Sequence, residues 1–423
     1  MRRPSKDSTQ KLSADSQRLL TLAQAVGQAA SRIEERNWER TLDAQLHKLL
    51  RTGHQDTIDS ALNSLFSVDL NAYDILMDSV EAVSESDTIV VEVDGQPREY
   101  DVLLVAAPIL AWTRFSIASG QIPADILNTL SAHFSAHLLA DGTHMAMSSS
   151  LYSIDQLPRT HAEAYSKTHK LAQAALKGVA VKMDTKTPET APFLADTRYL
   201  VAAVVAPHGG PLFRWQMQGA GLNPAEERNA ALEAWTTQAT PTVARLLPGC
   251  GIELLLPEAY YMACREADKL IRPVSIRAAV HYLTHSLACE PNELRAVIAG
   301  FGDESAPDGQ IDEYRVAFTR RNDSDVIYGV VWPLYGQEDE EGTPPEGPIT
   351  AGHLTAMLKP RTPVEEIVEH LNSAGVSQVK KLGEKYVAEY CDDCGAPLFA
   401  DPSGELVHAE MPEDAPTGTE HFH

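Results

Sequence analysis

The sequence predicts an α+β protein of several units: an N-terminal helical segment, a duplicated αβ body with mixed sheets, and a small ribbon-like module at the C-terminus. Three observations carry that expectation. Apolar residues recur at helical spacing from Ala14 onward. A strand-like run at Tyr100–Pro108 returns at Tyr199–Pro207. Cys391 and Cys394 bracket a tight turn near the end of the chain. With 423 residues the chain is too long for one ordinary core, and 43% hydrophobic against 22% charged residues suits globular units.

Residues 1–12 are polar and read as a disordered tail. Residues 13–84 read as the helical segment: Leu19, Leu20, Leu22, Ala23, Val26 and Ala29, then Trp38, Leu42, Leu46 and Leu49, follow helical spacing. Asp56–Phe66 and Asn71–Val83 continue it, with a break at residues 67–71. The simplest use is a helical cap on a neighbouring unit; a partner-binding helical module is the alternative.

The texture changes at Ser84. In a first αβ repeat, residues 85–178, Thr88–Val93 alternates and ends at Asp94-Gly95, a hairpin turn pair, with Tyr100–Pro108 as the return strand. A helix over Ala124–Leu139, a strand over His144–Leu151 and a helix over Thr160–Leu176 follow. Residues 179–290 repeat the order. YLVAAVVAP at Tyr199 matches YDVLLVAAP at Tyr100, 99 residues apart. Arg114-Phe115 aligns with Arg214-Trp215, Leu138–Gly142 with Leu246–Cys250, and Tyr152 with Tyr260. Two copies are too few for a solenoid. They imply a pseudo-two-fold body with a groove between its halves.

Residues 291–335 form a β-rich continuation: Leu294–Ala299, Tyr314–Thr319 and Val326–Leu334, with turn chemistry at Asp308-Gly309 and Asn322-Asp323. Residues 336–349, acidic and rich in Pro and Gly, read as a flexible linker. In residues 350–423, Pro363–Ala374 reads as a helix with Val364, Ile367, Val368 and Leu371 on one face. A short strand pair is expected after it, then the cysteine turn.

Lys plus Arg total 35 and Asp plus Glu 59, a net charge of −24. That balance disfavours nucleic acid, whose binding rests on neutralising phosphates. The longest apolar run, Val102–Trp112, is broken by Pro108 and falls short of the roughly 18 residues a membrane span needs. No apolar stretch follows the basic start Met1–Lys6, so a secretory signal is not expected. Five cysteines, an odd and sparse set, suit a reducing compartment, and the cytoplasm is the expected location.

The motif with chemistry is Cys391-Asp392-Asp393-Cys394-Gly395. Two thiolates at this spacing converge on one ion, and glycine eases the turn. Ala396–Ala400 and Glu405–Glu410 read as two strands joined by the turn Asp401–Gly404. Pairing Ala400 with Glu405 sets His408 opposite Pro397, within reach of the same ion. The candidate ligands are therefore Cys391, Cys394 and His408, with His421, His423, an acidic side chain or water as the fourth. A zinc-ribbon-like module with structural Zn2+ is the leading expectation. A ribbon that has lost its metal and a redox Cys-x2-Cys are the alternatives; aspartates beside the thiols argue against the latter because they raise thiol pKa.

Other constellations are weaker. His133 and His137, and His281 and His285, are each four apart on a helix, without the glutamate of a zinc protease. Arg114 and Arg214 stand at equivalent positions after their strands and are candidates to hold a small anion. Arg272 and Arg277, with Arg265 and Ser275, cluster around an expected helix start at Pro273, a second anion candidate. The ordinary role of such arginines is to brace loops and pair with acids such as Glu258 and Glu266. The glycines of Ala299–Gly302 lack the third glycine and the helix of a dinucleotide fingerprint, and no phosphate loop or nucleophile elbow is present. Cys250, Cys264 and Cys289 read as small packing residues.

Several segments together resemble a family: KLSADSQRL, YDVLLVAAPILAWTRFSI, SLYSIDQLP, LLPGCGIELLLPEAYYMACREAD, RPVSIRAAVHYL, VIYGVVWPLY and CDDCGAPLFADPSGELVHAEMPED. As a set they look like the beta-proteobacterial domain-of-unknown-function family 2863, over nearly the whole chain. The resemblance implies a bacterial, cytoplasmic protein and brings no activity, substrate or catalytic residue. The residues themselves point to a non-enzymatic binding or scaffold protein with a structural zinc site, able to take a protein partner or self-associate. An enzyme or sensor holding a small anionic metabolite between the repeats is the competing expectation.

Overall fold

The described chain opens with four helices, each started or stopped by a residue suited to it. The computed structural model describes residues 12–93, 95–114, 116–179, 193–217, 223–303, 310–335 and 361–412. Helix α1 (Ala14–Gly27) is capped by the Ser13 hydroxyl, which accepts from the Ser16 N–H at 3.0 Å. Ser31 caps α2 (Arg32–Arg51) in the same way. Asp69 both ends α3 (Gln55–Val68) and caps α4 (Leu70–Glu85), accepting from the Ala72 N–H. That residue is the break expected at 67–71. Leu19, Leu42, Leu46, Ile58, Leu65, Leu76 and Val80 close the core of this bundle.

A hairpin follows: β1 (Ser86–Val93) runs antiparallel to β2 (Gln96–Trp112), with Val93 facing Gln96. The turn's Gly95 takes φ +72°, and Asp94 lies outside the described residues. Next come β3 (Gly120–Gln121), α5 (Ala124–His137), β4 (His144–Met147), β5 (Ser150–Ser153) and α6 (His161–Lys177). The second half runs β6 (Ala195–Pro207), α7 (Pro224–Ala244), β7 (Gly251–Leu254), β8 (Glu258–Ala259) and α8 (Tyr260–Ser286).

The two long strands lie side by side. β2 and β6 are antiparallel from Tyr100 facing Pro207 to Trp112 facing Ala195. In this register Leu104 faces Ala203, its counterpart in the repeated motif, so a local two-fold passes between them. The short strands are exchanged. β4 and β5, which follow β2 in the chain, pair with β6, whereas β7 and β8, which follow β6, pair with β2. The exchange is uneven because β1 occupies the β2 edge from Gln96 to Leu103, leaving β8 and β7 to pair farther along at Val105–Trp112.

Alternation along β2 and β6 divides two cores. Val105, Ala107, Ile109, Leu200, Ala202 and Val204 face Phe134 of α5 and Trp235 of α7. Val102, Leu104, Ala106, Val201, Ala203 and Val205 face Leu171 of α6 and Ala263 and Ala267 of α8. The result is three layers, with α5 and α7 on one side and α6 and α8 on the other.

Helix α8 then carries the chain to a second sheet. β9 (Leu294–Gly302), β10 (Glu313–Arg320) and β11 (Val326–Pro333) are antiparallel neighbours. Beyond residue 361, α9 (Pro363–Ser373) starts on a Thr362–Glu365 capping box and packs Ile367 and Leu371 with Ile276 and Leu283 of α8 against Ile298, Val316 and Trp332. The chain returns as β12 (Gln378–Val387), parallel to β9. Chain from both sides of the acidic segment thus builds one sheet. A small hairpin, β13 (Phe399–Ala400) and β14 (Leu406–Val407), closes the described chain.

Three expectations change. The strand pair after α9 is the single strand β12, because a parallel strand on β9 needs no return turn. No helix starts at Pro273: α8 runs straight through it. Proline has no N–H for the carbonyl four residues back. The Arg272 Nε–H fills that gap, donating to the Lys269 carbonyl at 3.2 Å. The hairpin register is also one residue off, as described below. The turn at Asp308-Gly309, Phe115, the segment 336–349 and both terminal histidines lie outside the described residues. Among the described residues, no helix is long and apolar enough to cross a membrane.

Candidate metal centre

The cysteine turn is held from its ends. Leu398 N–H donates to the Glu389 carbonyl at 3.0 Å, and Tyr390 and Pro397 form a bridge. Inside this rung Cys391 N–H donates to the Ala396 carbonyl and Gly395 N–H to the Cys391 carbonyl. Gly395 takes φ +74°, a conformation that side chains disfavour, and so closes the loop.

The hairpin brings the third donor. Asp401, 8% exposed, accepts through one carboxylate oxygen from the backbone N–H groups of Ser403, Gly404 and Glu405 and from the Ser403 hydroxyl, at 2.7–2.9 Å. Its own N–H donates to the Glu405 carbonyl. This carboxylate draws Glu405 into the turn, so Ala400 faces Leu406 rather than Glu405. Continuing that register sets His408 beside Leu398, not Pro397. His408 Nε2 then lies 3.3 Å from the Cys394 sulfur. One donor atom each from Cys391, Cys394 and His408 all fall within 4.8 Å of one another, and no other such group occurs among the described residues.

Two further contacts prepare the donors. His408 Nδ1 lies 3.3 Å from a Glu410 carboxylate oxygen, which favours a proton on Nδ1 and leaves Nε2 as the ligating nitrogen. The Cys391 thiol is held below its ordinary value by the N–H groups of Cys394 and Asp393 aimed at its sulfur. The expectation that neighbouring aspartates raise the thiols is thereby reversed at Cys391: the Asp393 charge acts in that direction but is outweighed by backbone donors.

The residue that sequence reasoning missed is Arg315 of β10. Its side chain is buried, pairs with Glu313 at 2.7 Å, and donates to the carbonyls of Glu389 at 2.8 Å and Leu398 at 2.5 Å. It lies over the rings of Phe301 and Tyr390. One guanidinium therefore grips both limbs of the cysteine turn. The only sequence signal is an arginine inside the strand-like run Tyr314–Thr319.

The other candidates lie elsewhere and have contacts of their own. Arg114 is 2.6 Å from His285 Nε2, and Arg214 donates to the Ala136 carbonyl near the end of α5 at 2.6 Å. Arg272 is buried, donates to the Pro333 carbonyl at 2.9 Å and stacks on Trp332 and Tyr335. Arg277 is exposed. Of the histidine pairs, His133 and His137 stack with centroids 6.0 Å apart, and His281 and His285 stack at 6.5 Å. Burial holds the Cys264 thiol well above its ordinary value, in keeping with a packing role. His421 and His423 lie outside the described residues.

The family described as "Protein of unknown function (DUF2863)" matches residues 4–422, essentially the whole chain. No curated protein and no solved structure matches.

Proposed function

Because the chain belongs to the DUF2863 family, whose description names no activity, we propose its function from its own geometry: a non-enzymatic binding or scaffold protein whose C-terminal module is folded around one zinc ion. The observation that carries this reading is the convergence of Cys391, Cys394 and His408 within 4.8 Å. Two thiolates and an imidazole form a borderline-soft donor set that suits Zn2+ better than hard cations. The Arg315 grip and the Glu410 contact hold these donors in place through groups outside the donor set. A cytoplasmic setting keeps both thiols reduced and free to ligate.

Bound zinc contributes roughly 10 kcal/mol in apparent terms to small modules of this kind. Elemental analysis of the full-length protein is expected to give close to one zinc per chain. Cys391→Ser is expected to bring zinc to background and to lower the melting temperature. A metal-free wild-type protein, with melting unchanged in Cys391→Ser, overturns the reading.

A further inference from the structure

Cys394 and His408 do more than face Cys391. With Gly395 to Pro397, Phe399 and Ala409 they form one wall of a cavity of about 320 Å³. The opposite wall is Tyr328 to Val331 of β11, with Ser275 of α8 and Phe193 to Ala195. Gly329 makes room at the floor: a Cβ there would sit 2.2 Å from the Phe399 ring, so only glycine lets that ring lie against the strand. The volume is at the small end of ligand sites.

The three donors found among the described residues leave a tetrahedral zinc ion one position short, as in sites where zinc takes an exogenous ligand. Two of the three donor residues, Cys394 and His408, border the cavity. Charge then selects among ligands. Two thiolates and a neutral imidazole balance the ion's two positive charges. Among the described residues, none lining the cavity is lysine, arginine, aspartate or glutamate. A carboxylate or phosphate entering here would bring a charge with no partner into an apolar space, which is costly. A neutral donor on an apolar body brings none.

We propose that the ion's fourth position is exchangeable and opens into this cavity, where it takes a compact, neutral, apolar molecule bearing a single nitrogen or oxygen donor. The inference rests on the zinc reading above, and the following test separates the two. Full-length protein loaded with Co2+ reports its donors through its visible bands. Addition of 4-methylpyridine is expected to shift those bands saturably, and benzoate, a ring of similar size with a negative charge, to leave them in place. Ser275→Phe and Val331→Phe fill the far wall without touching a donor. Each is expected to weaken the 4-methylpyridine response by about tenfold or more while cobalt stoichiometry stays the same. Cobalt–thiolate bands that 4-methylpyridine does not move would mean that protein groups close the ion, and would overturn the inference alone. A benzoate shift as strong as that of 4-methylpyridine, or an undiminished response in both wall variants, would overturn the ligand class or the cavity. Absence of cobalt–thiolate bands overturns the zinc reading itself.

Discussion

Arg315 concentrates in one side chain what the cysteine turn lacks in mass. The turn spans a few residues, and Cys394 is exposed, so hydrophobic burial does little to define it. The guanidinium ties the Glu389 and Leu398 carbonyls to β10, and its charge is met by Glu313. Arg315→Leu strips out the fork and takes one donor from each carbonyl, leaving the Glu389 carbonyl with the Leu398 N–H alone. The expected result is a loss of about 3 kcal/mol in stability and a 10–100-fold weaker metal affinity. Denaturant melts and competition with a chromophoric chelator measure the two, and Arg315→Lys, which keeps the charge but not the fork, should fall between. Unchanged chelator competition in Arg315→Leu would show that the turn sets its own geometry. The two cysteines were legible because their spacing is local. The arginine was not, since its partners lie 74 and 83 residues away.

Among the elements, the β13–β14 hairpin shows how one carboxylate sets a register. Counting turn residues allots four to Asp401–Gly404, but Asp401 also captures the Glu405 N–H. Burial alone would raise this carboxyl, yet the hydrogen bonds from Ser403, Glu405 and Gly404 outweigh it and hold it below its ordinary value. Asp401→Ala removes these charge-assisted bonds. It is expected to cost about 2 kcal/mol and to weaken metal binding by displacing His408, with Asp401→Asn milder. Stability lost without any change in metal affinity would separate the turn from the centre. Helix α8 teaches a similar lesson. Pro273 signals a helix start from sequence, and only the Arg272 side chain on the Lys269 carbonyl, together with a helix face that packs against both sheets, carries the helix through. By contrast, caps and boxes such as Ser13, Asp69 and Thr362 depend on neighbours a few residues away. The starts of the helices they cap were accordingly legible to within a few residues, whereas the break between α1 and α2 was not, because helical spacing reads on across it.

At the scale of the molecule, the bundle meets the αβ body chiefly where α2 and α4 pack on α6, and Glu85 lies beside that seam, where α4 reaches α8. Burial pushes its carboxyl up to about 7, against an accepted hydrogen bond from the Tyr261 N–H, with Glu81 adding to the rise and Arg265 opposing it. A carboxyl that holds its proton more tightly when folded stabilises the protein fully below its ordinary value of 4.5, and that contribution is lost as pH rises through about 7. Stability is therefore expected to fall by about 3 kcal/mol across this window on account of Glu85. Glu85→Gln should reduce the slope by that amount in urea melts at pH 5 and pH 8; an unaltered slope would remove Glu85 as its source. The repeated strand was visible in sequence because five identities fall within one ungapped run of nine positions. The exchange of short strands was not, since β4 and β7 carry only four residues each and either long strand offers them an edge. That exchange has a consequence for how the protein can be taken apart. Each half supplies the short strands that flank the other's long strand in their one common sheet, so neither half alone completes its edge, and two separately made halves would have to assemble like the staves of a single cask.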